Sequence, residues 1–197
     1  GLAAPTLLES RDSPCQRIDV VADQGEKAVF LDGVPFYRAG DLDAFNILLA
    51  QLPATLLAPS NREALVIGSG SFSSAAHLHR LGYRVHVIEL DSAVAEIGFR
   101  QFADHHKLSA QDITVEIADA RTALAQSQAR YDLIVLDVPA PYRTQLALLH
   151  APAFYRQVAS HLNKDGVAAL SLCSSLHDPL GQQIAASAAQ AFREVMV

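Results

Sequence analysis

Three carboxylates stand where apolar runs end: Glu89 after Arg84-Val-His-Val-Ile88, Asp119 just past Ile113-Thr-Val-Glu-Ile117, and Asp137 after Leu133-Ile-Val-Leu136. If those runs are parallel strands the three acids converge, because an open α/β sheet binds its ligands beyond the carboxyl ends of its strands. A fourth run, Ala64-Leu-Val-Ile67, ends in Gly68-Ser-Gly70-Ser71. Glycines at such a point allow a tight turn and bring backbone N–H groups close to a ligand. The third position of a GxGxxG fingerprint is Ser73, so the motif alone reads equally well as a bare turn. Glu89 follows about 20 residues on, the spacing at which a carboxylate takes the two hydroxyls of a ribose. Together the glycines and Glu89 point to an adenosine-containing ligand. Asp119 also suits the N-cap of a short helix, and both roles can hold at once. Asp137 enters the segment Val138-Pro-Ala-Pro141, whose prolines stiffen the place where its carboxylate stands.

The elements needed to hold these residues are legible in the pattern. Short apolar strands at 64–67, 84–88, 113–117, 133–136 and 167–172 alternate with helices at 73–81, 92–102, after Ala120, at 152–162 and at 179–192. This is the signature of βαβ units and a mostly parallel, Rossmann-like sheet. Gly82 and Gly166 fall at the turns that lead into strands. Before them, residues 16–38 alternate and turn, with the hairpin dipeptide Asp32-Gly33, and read as a small antiparallel β unit. A linking helix over 41–52 places Leu42, Phe45, Leu48, Leu49 and Leu52 at helical spacing, with Asp41 as N-cap and Pro53 past its end. The expected organisation is therefore an N-terminal β-hairpin unit (1–40), a linking helix and connector (41–60) and a nucleoside-binding domain (61–197).

Composition narrows the function. Half of the 197 residues are hydrophobic and 18% are charged, which excludes disorder and coiled coil. Fifteen Lys and Arg against twenty-one Asp and Glu give a net charge of −6, the wrong sign for nucleic acid or an anionic membrane and better suited to a cationic or neutral small substrate. Cys15 and Cys173 lack metal or disulfide-framework spacing and read as reduced thiols. The eight histidines include His77 with His79 and His105 with His106, neither pair at ligand spacing, so no metal is expected. No apolar run reaches about 18 residues. The expected location is cytoplasmic. The sole methionine is Met196, so the chain is expected to be an excerpt or a processed product.

These features, in this order, resemble the spermidine synthase family, the polyamine aminopropyltransferases built on the class I S-adenosylmethionine methyltransferase fold. The resemblance runs through Ser13-Pro-Cys-Gln16-Arg-Ile, Leu31-Asp-Gly33, Leu65-Val-Ile-Gly68-Ser-Gly70, Val87-Ile-Glu89-Leu-Asp91, Asp119-Ala120, Leu136-Asp137, and Phe154-Tyr155 to Asp165-Gly166. It implies that Gly68, Gly70 and Ser71 form the glycine loop and that Gln16 contacts the nucleoside or its thioether tail. It further implies that Glu89 holds the ribose and that Asp119 with the Ala120 backbone holds the adenine. Asp137 matches the first aspartate of the family's D-x-x-D-P loop, which holds and deprotonates the attacking amine. The co-substrate implied is S-adenosylmethionine or its decarboxylated form, and the partner a small amine or other small acceptor.

Departures from the family cluster on the amine side. Its second loop aspartate is Ala140 here, its Tyr-His-Glu run on the linking helix is Phe45-Asn46-Ile47, its hairpin glutamine is Phe36, and its glycine-loop aspartate is Ser71. The resemblance also implies two further strands after the last helix, of which Val195-Met-Val197 would be only the beginning; without them the strand at 167–172 would be an edge, to be covered by further chain or by a partner, a homodimer included. The leading expectation is a transferase that binds S-adenosylmethionine, decarboxylated S-adenosylmethionine or methylthioadenosine, with aminopropyl transfer at a degenerate acceptor site. The alternatives are a methyltransferase whose acceptor uses an apolar region of Phe36, Phe45 and Ile47, a non-catalytic binding or assembly module, and a nicotinamide-dependent oxidoreductase.

Overall fold

The computed structural model describes residues 5–23, 25–38, 44–57, 62–68 and 70–197. Four antiparallel strands come first: β1 (Thr6–Asp12), β2 (Arg17–Asp23), β3 (Glu26–Leu31) and β4 (Val34–Arg38), paired in that order. Asp32 and Gly33 join β3 to β4 with φ of 50° and 78°, the left-handed pair that a two-residue hairpin needs. The sequence pattern did not disclose β1, whose residues are almost all exposed and so carry no apolar alternation.

The second sheet is parallel. Its strands β5 (Glu63–Gly68), β6 (Arg84–Glu89), β7 (Ile113–Ile117), β8 (Tyr131–Asp137) and β9 (Leu162–Leu170) lie in the order β7-β6-β5-β8-β9. Between and after them run α2 (Ser73–Arg80), α3 (Ser92–His106), α4 (Ala120–Gln126), α5 (Thr144–Leu148), α6 (Pro152–Ser160) and α7 (Pro179–Ala189). One face of the sheet packs on α2 and the linking segment, through Leu49, Ala54, Val66, Leu78, Val87 and Val135. The other packs on α4, α6 and α7, through Ile67, Leu124, Ile134, Leu136, Tyr155 and Ala188. A third core, of Ile18, Val20, Val29 and Leu31 against Val94, Ile97 and Phe102, seals the antiparallel sheet onto α3.

The linking segment departs from expectation. Asp41 and Leu42 lie outside the described residues. Ile47–Gln51 forms a π-helical turn that runs into α1 (Leu52–Leu56), and Pro53 sits in the first turn of α1, where a missing N–H costs nothing. The wide turn changes which face is buried: Asn46, Leu49, Ala50 and Ala54 point inward, while Phe45, Leu48 and Leu52 are exposed. Strand β9 begins at Leu162 rather than at 167, because a register shift lets Tyr131 pair with Leu162 and Leu133 with Val167. Gly166 therefore lies inside the strand, tight against Tyr131 O, and not at its start. Helix α5 was not foreseen, and residues 195–197 carry no strand.

Helix α3 reaches the glycine loop so closely that a Cβ on Gly98 would stand 1.7 Å from Gly70 O. Gly98→Ala is expected to lower stability by at least about 2 kcal/mol, read as a fall in the urea midpoint with an unchanged m-value.

Candidate active site

Strand β5 ends beside β8 at the pair Gly68 and Asp137, and a Cβ on Gly68 would meet Asp137 O at 2.3 Å. With φ of 85°, Gly68 turns the chain where no side chain fits. The Asp137 carboxylate looks towards α2: Ser74 Oγ lies 2.7 Å from Asp137 Oδ2 and 2.6 Å from the Asn46 amide. The Asn46 atom in this contact is Oδ1, so Ser74, with one proton to give, donates to Asp137 Oδ2 or to Asn46 Oδ1. Asn46 and Ser74 are both buried. Asn46 is thus the one residue of the Phe45-Asn46-Ile47 run that turns towards Asp137.

Glu89 closes β6 and is 8% exposed. Its Oε1 accepts from the backbone N–H of Asp91 at 3.0 Å. Burial pushes the Glu89 carboxyl up to about 7, against the pull of the Asp91 and Leu90 amides, and the nearby Asp91 and Asp137 charges add to the rise. Asp91 is buried and takes three donors: Ala93 N at 2.9 Å, which caps α3, Ser13 Oγ at 2.6 Å and Gln16 Nε2 at 3.3 Å. Gln16 is brought to Glu89 by this carboxylate. The Asp-Ser step before a helical run could have disclosed the cap; nothing local discloses its grip on residues 75 and 78 positions away.

Asp119 is the N-cap of α4, accepting from Arg121 N at 2.8 Å. The Arg121 side chain forks onto the same carboxylate, at 3.1 Å to Oδ1 and 2.6 Å to Oδ2, and holds it below the usual carboxylate range. The backbone N–H of Thr122 acts on the same carboxylate and favours its charged form too.

A single cleft of about 310 Å³ is lined by Gln16, Gly68, Glu89, Asp119, Ala120 and Asp137 together. Asp91, Phe36 and the segment from Val138 to Arg143, in part, complete its walls. Gly70 and Ser71 are not among its lining. Gly70 is shaped by its contact with α3, and the buried Ser71 turns its hydroxyl to Ser73 N at 3.3 Å. Phe36 is part of this lining, while Phe45 and Ile47, 47% and 40% exposed, are not. At the mouth, Arg143 pairs with Asp32 of the hairpin, each side chain 35% exposed. Four carboxylates and two paired arginines leave the cleft acidic. No group of three or more His, Cys, Asp or Glu that could hold a metal ion occurs among the described residues.

The raised Glu89 carboxyl has a stability consequence. In the unfolded chain it ionises near 4.5, in the native state near 7; stability is thus fully present below the lower value and lost as pH rises through the upper one. Glu89→Gln, which mimics the protonated form, is expected to be more stable than wild type at pH 8 by roughly 3 kcal/mol. The difference should vanish at pH 4.5, as urea unfolding at the two pH values checks.

Residues 43–197 match the model of the spermine/spermidine synthase domain. The polyamine aminopropyltransferase of Nitrosomonas europaea is 28% identical over 197 residues, 97% of this chain and 60% of that protein. The enzyme of the same name from Leptospira interrogans serogroup Icterohaemorrhagiae serovar copenhageni is 26% identical over 182 residues, 89% of this chain and 36% of its own length. The chain thus spans a third to three-fifths of these curated relatives. A solved spermidine synthase in complex with the transition-state analogue AdoDATO has the same fold, with a TM-score of 0.85 at 21% identity over 95% of this chain and 65% of that one. With more than half its length matched by the family model, on a parallel sheet in that order, the chain belongs to the spermine/spermidine synthase domain family.

Proposed function

We propose that the cleft binds the 5′-thioadenosine part of decarboxylated S-adenosylmethionine, and of the methylthioadenosine it leaves, and that the protein transfers an aminopropyl group to a small amine. The observation that carries this reading is the meeting of Gln16, Glu89, Asp119, Ala120 and Asp137 around one acidic cleft. In this reading the Glu89 carboxylate accepts from both ribose hydroxyls, which supply the charge-stabilising bonds that burial denies it. The Asp119 carboxylate and the Ala120 N–H meet the adenine edge, and Gln16, held by Asp91, lies along the thioether.

Transfer needs a neutral amine beside a carbon next to sulfonium. The Asp137 carboxylate takes a proton from the incoming ammonium, the freed nitrogen lone pair forms the C–N bond as the C–S bond breaks, and the sulfur leaves as an uncharged thioether while the positive charge passes to the new secondary ammonium. Ser74 holds that carboxylate on one oxygen, which orients it. The cleft's acidic walls favour a sulfonium and a protonated polyamine alike. Ala140 in place of a second aspartate leaves Asp137 as the loop's anionic contact for the amine, so a weakly held acceptor is expected. The compartment that suits such a biosynthetic enzyme, with both its cysteines free, is the cytoplasm.

Calorimetric titration with methylthioadenosine, decarboxylated S-adenosylmethionine, S-adenosylmethionine and NAD, each with and without putrescine, tests the reading. The first two should bind, with putrescine strengthening the second. Glu89→Ala should weaken both by about 100-fold, the loss of charged hydrogen bonds. Asp137→Asn should lower turnover by about 10²- to 10⁴-fold while methylthioadenosine affinity stays within about threefold. Unchanged affinity in Glu89→Ala would remove the site assignment. Preference for S-adenosylmethionine with indifference to amines would replace aminopropyl by methyl transfer.

A further inference from the structure

The segment that follows Asp137 is poor in ways to hold itself. Pro139 and Pro141 bring no N–H, and its own backbone supplies a bond from Tyr142 N to Ala140 O at 2.8 Å. Val138 and Pro139 nevertheless line the cleft wall beside Asp137, so their position decides where the carboxylate stands. The Pro139 carbonyl is met by a side chain eleven residues on: His150 Nε2, at 3.1 Å.

A carbonyl oxygen only accepts, so His150 Nε2 carries the proton. Its Nδ1 then has a lone pair, and the Tyr155 hydroxyl, 3.1 Å away, donates to it. Tyr155 is completely buried, edge-on to the imidazole at 6.5 Å and packed on Phe192 at 6.0 Å. His150 is itself buried, and burial draws its pKa below the ordinary histidine value against the opposing pull of the Pro139 carbonyl, which favours the neutral ring that the Tyr155 bond requires. The chain of contacts thus runs from the α6 core through Tyr155 and His150 to the loop. A buried histidine satisfied at both nitrogens is ordinary packing in many proteins; here one of the two bonds ends on the wall of the cleft, two residues from the carboxylate assigned the proton.

We propose that His150 is a positioning residue for the acceptor loop: through the Pro139 carbonyl it fixes the segment from Val138 to Tyr142 and so the place from which Asp137 takes the proton of the amine. The second half of this statement rests on the function proposed above; the first does not.

Hydrogen exchange of the wild-type chain, His150→Phe and His150→Gln separates the two. Phenylalanine fills the site without a donor, while the glutamine amide can place an N–H where Nε2 stood. In His150→Phe the amides of Val138, Ala140 and Tyr142 should exchange at least tenfold faster, with residues 131–136 within twofold of wild type; His150→Gln should restore most of the protection. Turnover should follow the same order, with kcat down about tenfold in His150→Phe and methylthioadenosine affinity within threefold. If His150→Phe does not fold, Tyr155→Phe removes only the orienting hydroxyl and should quicken loop exchange about threefold. Loop exchange equal to wild type, or a rise spread evenly through β8, would overturn the proposal. Loop protection that behaves as stated in a chain that binds no methylthioadenosine would instead remove the proposed function and leave His150 as the anchor of the loop.

Discussion

The Asp91 carboxylate is the joint on which the rest of the site depends. It caps α3 through Ala93 N, holds Ser13 and Gln16 from the turn between β1 and β2, and sits beside Glu89, whose Oε1 accepts from the Asp91 amide. Buried charge is unfavourable unless donors surround it, and the donors here come from the β1–β2 turn of the first sheet and from the first turn of α3, which follows β6 of the second. The N-terminal sheet is therefore fastened to the parallel sheet beside Glu89, on the wall of the cleft. The apolar core of Ile18, Val29, Val94 and Ile97 supplies the adhesion; Asp91 supplies the register, because its bonds are made only when the turn carrying Gln16 stands over the end of β6.

Around this joint the site is built against its own stability. Glu89 is held in a dry position that raises its pKa to about 7, and Phe72, a bulky residue, begins α2 in the left-handed region at φ 61°, a conformation that costs of order 1–3 kcal/mol. Both lie at the carboxyl end of the sheet. The two flanking positions are rigid instead: Gly68 lets β5 and β8 touch at Asp137, and Ser74 fixes that aspartate from below. Of these, Glu89 lines the cleft, where donors from a ligand would favour its charged form, and Asp137 is held in place by Ser74.

Much of this was legible in the sequence. Strands β5 to β8 appear as short apolar runs because both faces of a parallel sheet are buried, and the three carboxylates could be placed at their ends by counting. The hairpin at Asp32-Gly33 declares itself by residue type. What failed to show was structure without an apolar period: β1 is exposed along its length, and α5 has no fully buried residue. The linking segment misled for another reason, since its leucines suggested one face while the π turn and the Asn46–Ser74 contact buried another. Long-range polar partners were also out of reach. Ser74 and His150 stand in unremarkable local sequence, and the partners of Asp91 beyond its helix cap, Ser13 and Gln16, are brought to it only by the fold.

The central claim is that Glu89 is a buried carboxylate waiting for the hydroxyls of a ribose. Its pKa, followed by carbon-13 NMR of the side-chain carboxyl with and without methylthioadenosine, tests this most directly. The account predicts a value about 7 in the free protein, falling by a unit or more, roughly 1.4 kcal/mol, when the nucleoside binds and donates to the charged form. A free value near 4.5 that the nucleoside does not move would contradict it.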